Sequence, residues 1–193
     1  MDFLNKKRII LASGSPRRHH ILRKAGLNFE TFSMEIDESF PNGLDLEDIP
    51  THIAQKKADE FKTLPSENAV IISADTIVAH NGLMLGKPNN HKEAYDMLKK
   101  LSNDKHEVIT GVYMKSKEGN KSIYDITTVY FNELNDQEIE YYLHNQEPYD
   151  KAGGYGIQEW LGYIAVNRIE GSYYNVVGLP IHKVYTELKE LLS

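Results

Sequence analysis

Two periods of apolar and polar positions alternate along this chain. Residues 69–80, "AVIISADTIVAH", form a long run of small and β-branched residues interrupted by Asp75, which predicts a long strand. Asn81-Gly82 follows it and is a strong two-residue hairpin signal, with "LMLGKP" as the return arm. "RIILA" (8–12) predicts a shorter buried strand, and "FETFSME" (29–35) a second one. Between them Ile21, Leu22 and Ala25 recur at helical spacing. Ser15 suits the N-cap, Pro16 the first helical position and Gly26 the stop.

The same reading continues down the chain. Pro50 predicts the start of a helix whose stripe is Ile53, Ala54, Lys57, Ala58 and Phe61. Ala94, Met97, Leu98 and Leu101 predict a helix after Asn90. Two strands, 106–115 and 121–131, are joined by Glu118-Gly119-Asn120. Asn135 with Glu138 predicts a capping box for a helix through Leu143. "YIAVNRI" (163–169) predicts a strand, and Pro180 opens a last helix with Ile181, Val184, Tyr185, Leu188 and Leu191 on one face. The acidic, turn-rich stretch 36–48 predicts a surface loop. Strands and helices alternate throughout and include a hairpin, so the fold class expected is α/β with a mixed sheet. The 193 residues, without repeat or linker, fit a single domain over 1–193.

Composition narrows the chemistry. There is no cysteine, which removes thiolate nucleophiles, disulfides and zinc-thiolate sites and fits a reducing cytoplasm. The opening "MDFLNKKRII" lacks the apolar run of a signal peptide, and no stretch approaches the roughly 18 apolar residues of a membrane span. The formal net charge is −6, which argues against broad nucleic-acid binding, so an anionic ligand must be met by a local group of cations. The eight histidines show no metal-ligand spacing and are expected at the surface or in helix packing.

That group of cations has candidates. "SGSPRR" joins a strand to a helix through a small polar turn. Backbone N–H groups and the helix dipole favour phosphate there, and Arg17 and Arg18 add planar donor forks. "ADT" places Asp75 at the end of an apolar strand, where open α/β sheets bind ligands. Lys87 lies on the return arm of the hairpin that begins just past Asp75. Lys57 shares a stripe with core residues, and Lys151 borders the glycine-bearing "DKAGGYGIQ". Each could equally be a solvated or snorkelling side chain. Together they suit a nucleoside triphosphate, an anion of about four charges that usually travels with Mg²⁺. The P-loop, dinucleotide-binding, HExxH and GxSxG patterns are absent.

At these residues the chain resembles the Maf family of nucleoside triphosphate pyrophosphatases, named for a septum-formation phenotype. The likeness runs through "LASGSPRR", "KKA" (56–58), "SADTIV" (73–78), "GKP" (86–88), "ITGV" (109–112), "EPYDKAGGYGIQ" (147–158) and "IEGSYYNVVGLP" (169–180). It implies an elongated mixed-sheet fold related to inosine triphosphate pyrophosphatases, with two lobes around a central cleft. It implies hydrolysis of the α–β phosphoanhydride with Mg²⁺ or Mn²⁺. Asp75 would be the general base. Ser13 and Ser15 would line the phosphate turn, with Arg17, Arg18, Lys57, Lys87 and Lys151 binding substrate, and Glu35 would join Asp75 at the metal. Thr76 after the aspartate and Gln158 in "GIQ", with Arg17, resemble the dTTP/UTP branch rather than the 7-methyl-GTP branch. Where the family often has glycine after "GIQ", this chain has Glu159 and Trp160. Members often form homodimers and act on modified pyrimidine nucleotides in the cytoplasm. A nucleotide-binding regulator of cell division without catalysis is the alternative of another class.

Overall fold

The protein is described here by a computed structural model covering residues 7–33 and 35–191. Residues 1–6, 34 and 192–193 lie outside the described residues, and so do the opening of "MDFLNKKRII" and part of the strand expected over 29–35. Strands β1 (Arg8–Ala12), β2 (Phe29–Thr31), β3 (Ala69–His80), β4 (Leu83–Leu85), β5 (Lys105–Ser116), β6 (Asn120–Phe131) and β7 (Val166–Glu170) form a mixed sheet. The helices are α1 (Pro16–Lys24), α2 (Asp48–Asp59), α3 (His91–Leu101), α4 (Asp136–Gln146), α5 (Trp160–Ile164), α6 (Tyr173–Val177) and α7 (Ile181–Leu191). The chain divides into two compact units, and β3, β5 and β6 run from one into the other.

The first unit holds residues up to Asp75, 110–125 and 178 onward. Its strands follow the order β2-β1-β3-β5-β6, with β1 parallel to both β2 and β3. Ala54 and Ala58 on α2 are fully buried against Ile10, Ala12, Ala69, Ile71 and Tyr113. Each buried isoleucine there stabilises by about 1.5–3 kcal/mol. The small alanines let helix and sheet approach closely, and Gly111 on β5 sets the limit. A Cβ built on it would lie 2.2 Å from the backbone nitrogen of Thr51. Buried Ser73 donates to the Ala54 carbonyl at 2.6 Å, a second tie between β3 and α2.

The second unit holds 76–109 and 126–177. The hairpin turn at Asn81 and Gly82 has φ of 51° and 75°, the two left-handed residues that a type I′ turn requires. Its register pairs His80 with Leu83 and Val78 with Leu85. Asn90 accepts a bond from the Glu93 amide at the start of α3, and Asn135 with Glu138 forms the capping box that opens α4. Tyr142, Ile139 and Leu143 of α4 are buried, with Leu98 and Leu101 of α3.

Several expectations shift. β2 ends at Thr31; the Phe32 amide still donates to the Leu11 carbonyl at 2.9 Å, and its ring meets Phe61 edge-on at 5.0 Å. The helix expected from Pro50 begins two residues earlier, at Asp48. "YIAVNRI" is not one strand. Tyr163 and Ile164 belong to α5, where Gly162 donates to the Glu159 carbonyl and Ala165 to that of Leu161. Their β-propensity is overridden by the local helical bonds and by the burial of Leu161. The unexpected α6 follows Ser172, whose hydroxyl and carbonyl both accept from the Asn175 amide. His106 is neither at the surface nor in a helix. It is 2% exposed on β5 and shares a bond of 2.7 Å with the Tyr155 hydroxyl.

Candidate active site

In the first unit, β1 delivers the chain into Ser13-Gly14-Ser15. Ser15 adopts extended backbone before Pro16, but its side chain caps nothing. Ser13 is the polar centre of the turn. Its hydroxyl accepts from the Ser15 amide at 3.3 Å and from Arg18 at 3.1 Å. His19 donates from Nε2 to the Ser13 carbonyl at 2.7 Å, which fixes its tautomer. A Cβ on Gly14 would meet the Ser33 hydroxyl at 2.7 Å, so the two turns lie close together there.

The two arginines differ. Arg18 is 9% exposed, and its Nε donates to the Gly178 carbonyl at 2.8 Å. Burial pulls its pKa down and the nearby Asp75 carboxylate opposes that shift. Arg18 therefore ties the turn to the segment before α7 and keeps its charge near Asp75. Arg17 is half-buried at the start of α1.

Asp75 does not end its strand. It lies inside β3, which continues to His80. Six buried residues precede it, and Asp75 and Thr76, which the pleat sends to opposite faces, are both half-buried. Lys57, in the last turn of α2, donates to Asp75 Oδ1 at 2.7 Å and stands 2.9 Å from Glu38 Oε1. The Lys57 and Asp75 side chains are only 15% and 13% exposed. Glu38 is the residue that sequence reasoning missed. It lies in the acidic stretch expected to be a plain surface loop. The signal was the adjacent pair Lys56-Lys57, because Lys56 also holds that loop, donating to the Ser39 carbonyl at 2.7 Å. Glu35, three residues before Glu38, is exposed. Among the described residues no three His, Asp or Glu side chains are grouped to hold a metal.

In the second unit, Lys87 is exposed two residues beyond β4. Continuing the hairpin register would set it opposite Thr76. The glycine segment docks beside it, with the Gly153 amide donating to the Gly86 carbonyl at 3.0 Å. Gly153 has φ of 71° and a Cβ there would press on Val78 at 3.1 Å, so this loop needs glycine twice over. Lys151 is not open to solvent. Its ammonium lies 2.6 Å from Asp150 and 2.9 Å from Glu159, and its side chain is 10% exposed. Gln158 is exposed, between Ile157 and Glu159.

The family model described as "Maf-like protein" matches residues 8–191. This chain belongs to the Maf family. Relatives similar to it over nearly their whole length include the "dTTP/UTP pyrophosphatase" of Parabacteroides distasonis, 48% identical and covering 98% of each chain. That of Phocaeicola vulgatus is 46% identical over 99% of this chain and 100% of its own. That of Flavobacterium johnsoniae is 46% identical over 98% and 97%. Among solved structures, a "Nucleoside-triphosphatase / dITP/XTP pyrophosphatase" from Mycobacterium abscessus is 14% identical, covers 96% of this Maf chain and 98% of its own, and has a TM-score of 0.48. Among the described residues of the Maf chain no helix is long and apolar enough to cross a membrane.

Proposed function

We propose that this Maf-family protein is a nucleoside triphosphate pyrophosphatase that hydrolyses dTTP and UTP to the monophosphate and pyrophosphate. The observation that carries the reading is the Asp75 carboxylate, half-buried in mid-strand and held by Lys57 at 2.7 Å. It stands in a chain nearly half identical to enzymes bearing that name. Water attacks the α-phosphorus in line with departing pyrophosphate, and Asp75 accepts its proton. Lys57, Arg17 and Lys87 meet phosphate charge, while Ser13 and Arg18 hold the turn that offers its amides. Thr76 and Gln158 read the base. No side-chain nucleophile is needed.

Asp75 and Glu38 converge on one ammonium, so both already face a cation. Mg²⁺ takes one or two carboxylates and completes its shell with water and substrate oxygens, which fits this pair. Asp75 and Glu38 would hold the ion, Glu38 in place of the expected Glu35. When bound, the ion draws charge from the phosphate oxygens. The substrates are metabolites of the cytoplasm, and we place the protein there, with modified pyrimidine nucleotides within its range.

The test is a pyrophosphate-release assay on purified protein with dTTP, UTP, CTP, GTP and 7-methyl-GTP, with Mg²⁺ or Mn²⁺. Highest kcat/KM on dTTP and UTP is expected. A preference for 7-methyl-GTP would overturn the substrate assignment, and binding without turnover would make the protein a nucleotide-binding regulator.

A further inference from the structure

We propose that Glu159 is a positioning residue for the base-reading Gln158, acting through Tyr142 and Lys151. The proposal rests on the pyrophosphatase reading above and deepens it. Glu159 precedes the short helix α5 and its two carboxylate oxygens serve different partners. One accepts from the Tyr142 hydroxyl and the other lies 2.9 Å from the Lys151 ammonium. The Tyr142 hydroxyl in turn accepts from the Gly156 amide at 3.0 Å. The Glu159 amide closes the turn by donating to the Gly156 carbonyl at 3.0 Å. Gln158 is thus the exposed member of a four-residue turn whose first and last residues are joined twice, once by backbone and once through the Tyr142 ring.

The anchor is rigid. Tyr142 is fully buried on α4, so its hydroxyl has one place to be. Burial foremost, then the Glu159 carboxylate, pushes the hydroxyl pKa up, and it remains a donor. The turn also leaves no slack. A Cβ on Gly156 would lie 2.7 Å from the Glu159 carboxylate, and one on Gly162 would lie 1.9 Å from the Ile157 carbonyl oxygen. Glycine at 156 and 162 lets the turn close around the Glu159 side chain. Lys151, flanked by Asp150 and Glu159, spends its charge here and fixes the start of the loop that carries Gln158. Its part is then to hold the base-reading loop and not to bind phosphate.

A group that orients a specificity residue changes the ratio between substrates, whereas a group that only stabilises the fold does not. The experiment measures kcat/KM for UTP and GTP, inhibition by inorganic pyrophosphate, and Tm. It compares wild type, Glu159→Ala, Glu159→Gln, Tyr142→Phe and the double variant Glu159→Ala/Tyr142→Phe. Glu159→Ala should narrow the UTP-to-GTP ratio about tenfold, the scale of one charge-assisted hydrogen bond, chiefly through KM for UTP. Glu159→Gln should recover part of the ratio, because its amide oxygen still accepts from Tyr142. Tyr142→Phe should narrow the ratio alone and add little in the double variant, and it carries the test if Glu159→Ala does not fold. Pyrophosphate inhibition should stay unchanged. Equal losses on both nucleotides, an unchanged ratio, or weakened pyrophosphate inhibition in a wild type that turns over UTP would overturn the proposal alone. A wild type that releases no pyrophosphate from any nucleotide removes the reading beneath it as well.

Discussion

Lys57 Nζ lies 2.7 Å from Asp75 Oδ1, so the last turn of one helix and the middle of one strand are joined by a half-buried ion pair. Asp75→Asn keeps the shape and removes the basic oxygen. Turnover of UTP should fall by about 10²–10⁴-fold, with nucleotide binding still measurable. Lys57→Met should lower kcat and raise KM together, since its ammonium also orients Asp75. Steady-state kinetics with a separate binding titration checks both, and near wild-type turnover in Asp75→Asn would remove the residue from the mechanism.

The neighbouring arginines should separate into two phenotypes. Arg18→Ala leaves the buried Gly178 carbonyl and Ser13 hydroxyl without the partner they have now. Stability should drop by about 1–3 kcal/mol, read as a lower Tm. Arg17→Ala should cost less Tm than Arg18→Ala and act chiefly on KM and kcat. Matching Tm losses in the two variants would contradict this division.

Gln158→Ala should lower kcat/KM for dTTP and UTP far more than for GTP, because an amide that donates and accepts at once reads a pyrimidine edge. Thr76→Ala should do the same more weakly. The same fall on every nucleotide would assign both residues to the phosphate side.

Burial holds the His106 imidazole well below its ordinary pKa of 6.5, at about 3. The unfolded chain therefore takes a proton near pH 6.5 that the folded chain refuses. Above that pH His106 contributes no pH dependence. As pH falls from about 6.5 towards 3, stability declines, at most by about 1.4 kcal/mol per unit from this group. His106→Phe keeps a ring against Phe131 and Tyr155, whose centroids lie 4.9 and 5.3 Å from that of His106. Its Tm should be lower at pH 7, where Tyr155 loses its partner, yet fall less between pH 7 and 5. Parallel Tm curves would dismiss the histidine as the cause.

Elements with strong local signals were legible in the sequence. The Asn81-Gly82 turn, the Asn135/Glu138 box and the Ser15-Pro16 helix start each follow from a backbone requirement that few residues meet. The short helices α5 and α6 were not legible, because tertiary burial of Leu161 and a serine cap outweighed β-prone tyrosines and isoleucine. At the candidate site, motifs marked Asp75, Lys57 and the arginines but not their division of labour. Arg18's burial against Gly178, Glu38's place beside Lys57 and the capture of Lys151 by Glu159 across its loop are contacts outside any helix or strand repeat, and periodicity carries no such information. His106 was misjudged for the same reason, since Tyr155, the partner of its Nε2, is distant in sequence.

Gly111 works as a fulcrum. The backbone of Thr51 rests where its side chain would be, near the start of α2, and Lys57 rides on the same helix about 9 Å further along. Swinging that arm by a single added methyl would carry the ammonium away from Asp75 without touching either partner of the pair. The aim of the charge is thus governed by an atom the chain leaves out. Gly111→Ala would disarm the enzyme from a distance.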